Sequence, residues 1–309
     1  MIWVGKNLSG KVSVLEKCEL CGNPHEKEQI NYPCSGSEKK SLHFSNISIC
    51  PGCGFGFAEP RRSQHELDHF YSSGQYWESG ASDPTSLAHQ NIQAHVRMKE
   101  YCKFLGSEKK VSLLEIGSGH GNLIKLFLTK LSDQIETFYF IEPDEEAASY
   151  IFGLVKDDRL RRVNSIHEID EKLDAVIMNH VLEHVASPVS FLEEVKSAML
   201  KGGFLFIETP RHDFLFKDSV FPHTLFFNQE SFKFLAKSLD LQVRSIKEFG
   251  SARCIEKNQR HKFKNRLRGK AFQLSVKYAP FVLQKMANNL MFEYGSKSDR
   301  IWLAGVFQL

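Results

Sequence analysis

The chain has 309 residues, 42% of them apolar, and a formal net charge of +3 from 40 basic and 37 acidic residues. Such values suit an ordinary globular protein of two domains, or one large domain with an appendage, able to bury its core without disulfides. No apolar run approaches the ~20 residues of a membrane span, Lys6 and Lys11 interrupt any signal-peptide core, and no internal repeat is visible. An odd count of seven cysteines favours a reducing, cytoplasmic setting and metal binding over disulfides.

Residues 1–60 carry two knuckles, Cys18-Glu-Leu-Cys21 and Cys50-Pro-Gly-Cys53, with 28 residues between them. Each is followed by a glycine, Gly22 or Gly54, which lets the chain turn tightly enough for two thiolates to reach one ion. Four thiolates around a tetrahedral ion describe a structural zinc ribbon. A closed four-cysteine site has no open position, so this zinc is expected to take no part in catalysis. Cys34 reads as a spare, and Cys102 and Cys254 as small apolar residues. Residues 61–105 read as a polar linker with one short helix, then a helical cap from Thr85 to Leu105.

A strand–helix alternation follows over 106–250. The expected strands are Val111–Ile116, Thr137–Ile141, a weak third at Leu160–Val163, Ala175–Met178, Phe204–Glu208 and Gln242–Phe249, with Ile301–Phe307 closing the sheet. The expected helices are Asn122–Leu131, Glu145–Val155, Pro188–Leu200 (stopped at Lys201-Gly202-Gly203) and Ser231–Ser238. That alternation implies an α/β fold, a parallel sheet with helices on both faces. Residues 251–298 fit no such unit. They are basic first, from Arg253 to Lys270, and then amphipathic, which reads as a solvated basic helix followed by a helix packed on the core, or alternatively as a surface for an anionic membrane interface.

The central motif is Glu115-Ile116-Gly117-Ser118-Gly119-His120-Gly121, between a strand and a helix. Glycines allow a sharp turn and close approach to a ligand, and the helix start offers free amides. Glu115 would repel a pyrophosphate and attract an ammonium. At the end of the next strand, Glu142 is placed to accept ribose hydroxyls. This pair suits a cationic nucleoside without phosphate, such as S-adenosylmethionine (SAM).

Four stretches in order carry a resemblance to class I SAM-dependent methyltransferases. They are Leu114–Gly121, Tyr139–Asp144, Leu173–Val185 and Leu200–Pro210, the last with its Lys-Gly-Gly turn. The resemblance implies a Rossmann-like fold. Glu115, Gly117, Ser118 and Gly119 would line the methionine end, and Glu142 with Pro143 the ribose. Asn164, Ser165 and Ile166 would meet the adenine, and Asn179 and His180 would lie under the methionine and the methyl. Glu183 and His184 are expected only to pack at a helix start. The cysteine quartet ahead of such a core, with Phe70-Tyr71 and Tyr76 after it, resembles the sugar C-methyltransferases of nucleotide-linked deoxysugars. Of their Tyr-His-Glu-His-Tyr-x-Tyr-Phe segment, Val220–Phe227 keeps only His223 and Phe227, without the Tyr and Glu that serve carbanion chemistry.

The expectation is therefore SAM-dependent O-methylation of a sugar or other small hydroxylated substrate, nucleotide- or lipid-linked. A histidine suits the hydroxyl's proton, and His223 is the first candidate base, His180 the second. An RNA methyltransferase using the ribbon and the basic segment is the runner-up. Against it, the fourth strand ends in Asn179-His180-Val181-Leu182 rather than an Asn/Asp-Pro-Pro-Tyr/Phe motif. A non-catalytic interaction module is a third reading, opposed by the intact glycine loop and Glu142.

Overall fold

A computed structural model of the chain describes residues 4–6, 12–14, 17–24, 28–32, 42–72, 84–106, 109–217, 219–249 and 301–309. Cys34, Tyr76, Cys254 and the basic and amphipathic segment at 251–298 lie outside the described residues. β1 (Val4–Lys6) and β2 (Val12–Val14) form a hairpin. β3 (Glu28–Asn31), β4 (Asn46–Ile49) and β5 (Gly56–Glu59) form an antiparallel sheet. α1 (Gln64–Ser72) and α2 (Pro84–Tyr101) lead into the main domain.

That domain is built from β6 (Val111–Ile116), α3 (Asn122–Lys130), β7 (Ile135–Ile141), α4 (Glu145–Leu154), β8 (Leu160–Arg162) and β9 (Leu173–Asn179). It continues through α5 (Pro188–Ser197), β10 (Met199–Pro210), β11 (Leu225–Phe226), α6 (Gln229–Ser238), β12 (Gln242–Phe249) and β13 (Trp302–Gln308). Seven strands form one sheet in the order β12-β13-β10-β9-β6-β7-β8. The chain leaves β6 outward in one direction and later returns to β9 on its other side. Sites on open α/β sheets gather at such a reversal, outside the strand C-termini.

Strand alternation sets the two layers. Leu113, Phe138, Phe140, Ala175, Ile177 and Phe206 face one side, with Ala94 of α2 and Ile124 and Phe127 of α3. Leu114, Ile116, Val176, Met178, Leu205 and Ile207 face the other, with Leu192 and Val195 of α5 and Phe232 and Leu235 of α6. Both layers are closed to water, so the central strands read as nearly unbroken apolar runs.

Three points differ from the sequence expectation. The sheet is mixed: β13 runs antiparallel to both β10 and β12. α5 ends at Ser197, and β10 already starts at Met199, which pairs with Leu173 before a bulge over the glycines. A Cβ on Gly203 would stand 2.9 Å from the Leu200 carbonyl oxygen, so the bulge requires glycine there. Finally, the small sheet is completed by a strand from the main domain. β11, from the main domain, pairs with β5 and becomes the fourth strand of the small sheet. Cys50, Cys53 and Phe55 belong to the same apolar cluster as Phe227 and Phe232. The weak third strand does form as β8, with Leu160 buried and Arg161 exposed at the sheet edge. Among the described residues, no helix is long and apolar enough to cross a membrane.

Candidate active site

β6 ends in a loop whose three glycines all have left-handed backbone, with φ of 71° at Gly117, 54° at Gly119 and 66° at Gly121. A Cβ on Gly117 would stand 2.6 Å from Val181, and one on Gly121 2.9 Å from Ile151. The loop therefore packs against its neighbours as only glycine allows. The Gly119 amide donates to Glu142 Oε2 at 2.8 Å, and the Asp144 amide donates to Oε1 at 3.1 Å. Asp144 in turn caps α4 by accepting from the Ala147 amide. Glu142 thus ties the glycine loop to the start of α4.

Beside this loop lies a cleft of about 920 Å³. Glu115, Gly117, Ser118, Gly119, Glu142, Pro143, Asn164, Ser165, Ile166, Asn179 and His180 all line it. Gln64, Asp68, Tyr71, Ser72 and His184 line it too.

The chemistry at the glycine end favours a cation. Glu115 is buried, and its Oε2 has no hydrogen-bond partner among the described residues. Burial pushes its pKa up to about 8, against the pull of Arg97. Burial likewise raises Glu142 to about 7, against the hydrogen bonds from the Asp144 and Gly119 amides. Two carboxyls whose ionisation burial disfavours, one with an orphaned oxygen, fit a ligand that brings an ammonium and ribose hydroxyls. SAM is such a ligand.

A charged network runs under the cleft. Arg97 of α2 donates to both oxygens of Glu208 on β10, Nε reaching Oε2 at 3.1 Å. His180, with φ of 60°, sits between two carboxylates: Nδ1 is 3.2 Å from Glu183 and Nε2 is 3.2 Å from Glu208. Burial alone would lower its pKa, but the hydrogen bonds of Glu183 and Glu208 outweigh that and hold it at about 8. Burial would raise Glu208, yet Arg97 and His180 bring it down to about 2. His180 is thus a cation at neutral pH with both nitrogens engaged. Tyr101 donates to Asn179 Oδ1 at 2.5 Å, fixing the amide at the end of β9.

The two expected bases are placed differently. His180 lines the cleft, but as this paired cation. His223 is not among the lining residues. Its segment folds back toward the small sheet through β11, and its Nδ1 meets Asp213 Oδ2 at 2.7 Å. His184, which stands in the cleft wall, lies between, with ring centroids 5.0 Å from His223. Burial holds His184 neutral, at about 3, and its Nδ1 is 2.6 Å from the Tyr71 hydroxyl. Sequence reading overlooked Arg97, Glu208 and the exposure of His184 to the cleft. The one available signal was an arginine inside a helix that packs on the core, since a buried guanidinium demands a carboxylate.

Residues 89–264, more than half of the chain, match the family model of a methyltransferase domain. The chain belongs to this family and is a SAM-dependent methyltransferase. Comparison with curated proteins finds no match. Among solved structures, a SAM-dependent methyltransferase of Leishmania major is similar with a TM-score of 0.50, at 10% identity, over 78% of this chain and 83% of that one. Coclaurine N-methyltransferase bound to N-methylheliamine and SAH gives 0.49 at 17% identity, over 70% and 72%. The plantazolicin methyltransferase BamL, solved with a desmethyl analogue and SAH, gives 0.49 at 15% identity, over 79% and 96%. Such identities speak to the fold and not to the acceptor.

For this methyltransferase a pH dependence of cofactor binding follows. A cationic ligand favours ionised Glu115, whose pKa in the empty site is about 8. Binding below that pH must expel a proton. SAM affinity is expected to rise with pH up to about 8, by up to tenfold per unit, and then to level off. Calorimetry in buffers of different ionisation enthalpy reads the released proton directly. In Glu115→Gln the affinity should be weaker and the proton release from this group gone; unchanged proton release would show that Glu115 is not the titrating group.

The four knuckle cysteines come together. Cys18 Sγ is 3.7 Å from Cys53 Sγ, Cys21 Sγ is 3.6 Å from Cys50 Sγ, and all four lie within 4.8 Å of one another. Thiolates about 2.3 Å from a tetrahedral zinc stand about 3.8 Å apart, so the donor set and spacing fit that ion. The turns close as expected, with the Gly22 and Gly54 amides donating to the Cys18 and Cys50 carbonyls at 2.8 Å each. Hydrogen bonding from Cys53 holds the Cys18 thiol down at about 4 while the Cys53 thiol is pushed up.

Proposed function

We propose that this methyltransferase O-methylates a small hydroxylated acceptor, a sugar carried on a nucleotide or a lipid, with the cysteine quartet holding a structural zinc. The observation that supports the acceptor class is the part of the cleft wall built by α1 and His184. Gln64, Asp68, Tyr71, Ser72 and His184 offer hydroxyl, amide, carboxylate and imidazole groups there, suited to a molecule rich in hydroxyls. The volume sits near the top of the roughly 300–1,000 Å³ usual for small-molecule sites, enough for a cofactor and a compact acceptor side by side.

SAM, when bound, supplies a sulfonium methyl that a nucleophile takes by in-line displacement. The residues of this chain do the positioning, which supplies much of the barrier reduction. Glu115 meets the ammonium, Glu142 the ribose, and Asn179, fixed by Tyr101, the methionine end. The His180 and Arg97 cations together balance Glu183 and Glu208, so this network carries no net excess of negative charge that would repel an oxyanion nucleophile. His184, kept neutral by burial and held by Tyr71, forms part of the cleft wall and is no strong base.

The test is transfer of labelled methyl from SAM to panels of nucleotide-sugars, lipid-linked sugars, amines and RNA. The expected product is a sugar methyl ether, whose label survives alkali. Label found only on an amine or on RNA would overturn the acceptor reading while leaving the methyltransferase assignment in place.

A further inference from the structure

Behind the cleft wall, Glu183, His184 and His223 each offer one ligand atom, and these atoms lie within 4.8 Å of one another. We propose that these three residues form a second metal site, separate from the cysteine quartet, for a divalent cation of the zinc or cobalt type. Two histidines and one carboxylate are a common donor set for such ions.

Three observations carry the proposal. First, Glu183 is 1% exposed, and its Oε2 has no hydrogen-bond partner among the described residues. Its other oxygen, Oε1, is 3.2 Å from His180 Nδ1, so one buried oxygen of this ion-paired carboxylate keeps its lone pairs for a further cation. Second, each imidazole is held through Nδ1 by a group outside the cluster. Asp213 Oδ2 stands 2.7 Å from His223 Nδ1, and the Tyr71 hydroxyl 2.6 Å from His184 Nδ1. This is the outer shell that orients metal-binding histidines, and a carboxylate on Nδ1 leaves Nε2 as the donor. Third, the backbone is fixed around the cluster: the Thr224 amide donates to the Glu183 carbonyl at 3.0 Å, beside His223.

The donors now stand slightly too far apart. His184 Nε2 is 3.9 Å from Glu183 Oε1, whereas donors about 2.1 Å from a tetrahedral ion stand about 3.4 Å apart. Small side-chain rotations close that gap. With three protein ligands the ion keeps an open position. His184 also lines the cleft, so the ion would sit directly behind the acceptor end, where a bound hydroxyl or water becomes more acidic. That last role rests on the acceptor reading above; the binding itself does not.

The experiment is titration of the metal-free full chain with Co2+ alone, followed by absorption. Ions at the quartet give a thiolate-to-cobalt charge-transfer band, and ions at the proposed site do not. We expect one equivalent without that band in the wild type. Glu183→Gln and His223→Asn should each weaken it by at least tenfold and leave the thiolate band intact. The proposal falls if no equivalent lacks the band, or if the bandless equivalent binds equally well in both variants. A variant that misfolds shows itself by losing the thiolate band, and the other variant then decides. None of these results depends on which acceptor is methylated.

Discussion

Glu142→Ala is expected to weaken SAM binding by roughly 10²–10⁴-fold. The carboxylate would accept two charge-assisted hydrogen bonds from the ribose, each worth ~1.5–3 kcal/mol, and about 1.4 kcal/mol is tenfold in affinity. A second loss adds to this one. Glu142 also accepts the Gly119 and Asp144 amides, so its removal frees the glycine loop from the start of α4. Ligand and loop compete for the same two oxygens, and the carboxyl is partly protonated near pH 7 because burial raises it. The difference between wild type and variant should therefore grow from pH 6 to pH 8. Calorimetry at both pH values measures it. Equal affinities at pH 8 would remove Glu142 from the ribose position, and a lowered melting temperature without an affinity change would leave it only the loop-tying role.

Much of this site was readable from the sequence because its signals are local. Gly117, Gly119 and Gly121 sit within a few residues of Glu115, and the next strand ends at Glu142, so one βαβ unit carries the glycine side of the cleft. Backbone chemistry dictates these positions, and nothing distant can substitute for a left-handed glycine. The charged network and the α1 side of the cleft were not readable in the same way. Arg97 meets Glu208 from 111 residues away, and Tyr71 meets His184 from 113. Such pairs leave no periodic mark. His184 was read as packing because Leu182–His184 opens as a 3-10 turn beside apolar neighbours, and only the approach of α1 makes it a wall of the cleft. His223 is placed away from the cleft lining for another long-range reason. Its place after the fifth strand suggested a face on the cofactor side, but Leu225 and Phe226 pair with β5 and draw the segment toward the small sheet. The antiparallel run of β13 was hidden because a strand's direction is not written in its own residues.

The same long-range pairing decides what loss of the quartet does. Cys50→Ser is expected to remove the thiolate-bound ion and to disturb far more than the first sixty residues. Structural zinc contributes apparent binding free energies of about 10–16 kcal/mol in isolated fingers, more than the whole stability of many domains. Here the knuckle is wedged into the main domain. Cys50 and Cys53 are buried against Phe55 and Phe227, the Gly54 carbonyl accepts from His212 Nε2 at 2.8 Å, and a Cβ on Gly54 would strike Asn228, the cap of α6. Collapse of the knuckle should therefore loosen 211–228 and, with it, the Asp213–His223 pair behind the cleft. Limited proteolysis of the variant should cut within 211–228 as well as within the first sixty residues, with a melting temperature lowered by several degrees or more. Elemental analysis should show the thiolate-bound ion gone. If the variant keeps that ion, the fourth ligand is not Cys50. If it loses the ion yet resists proteolysis at 211–228, the small sheet is a passive attachment, and the coupling through β11 carries no stability.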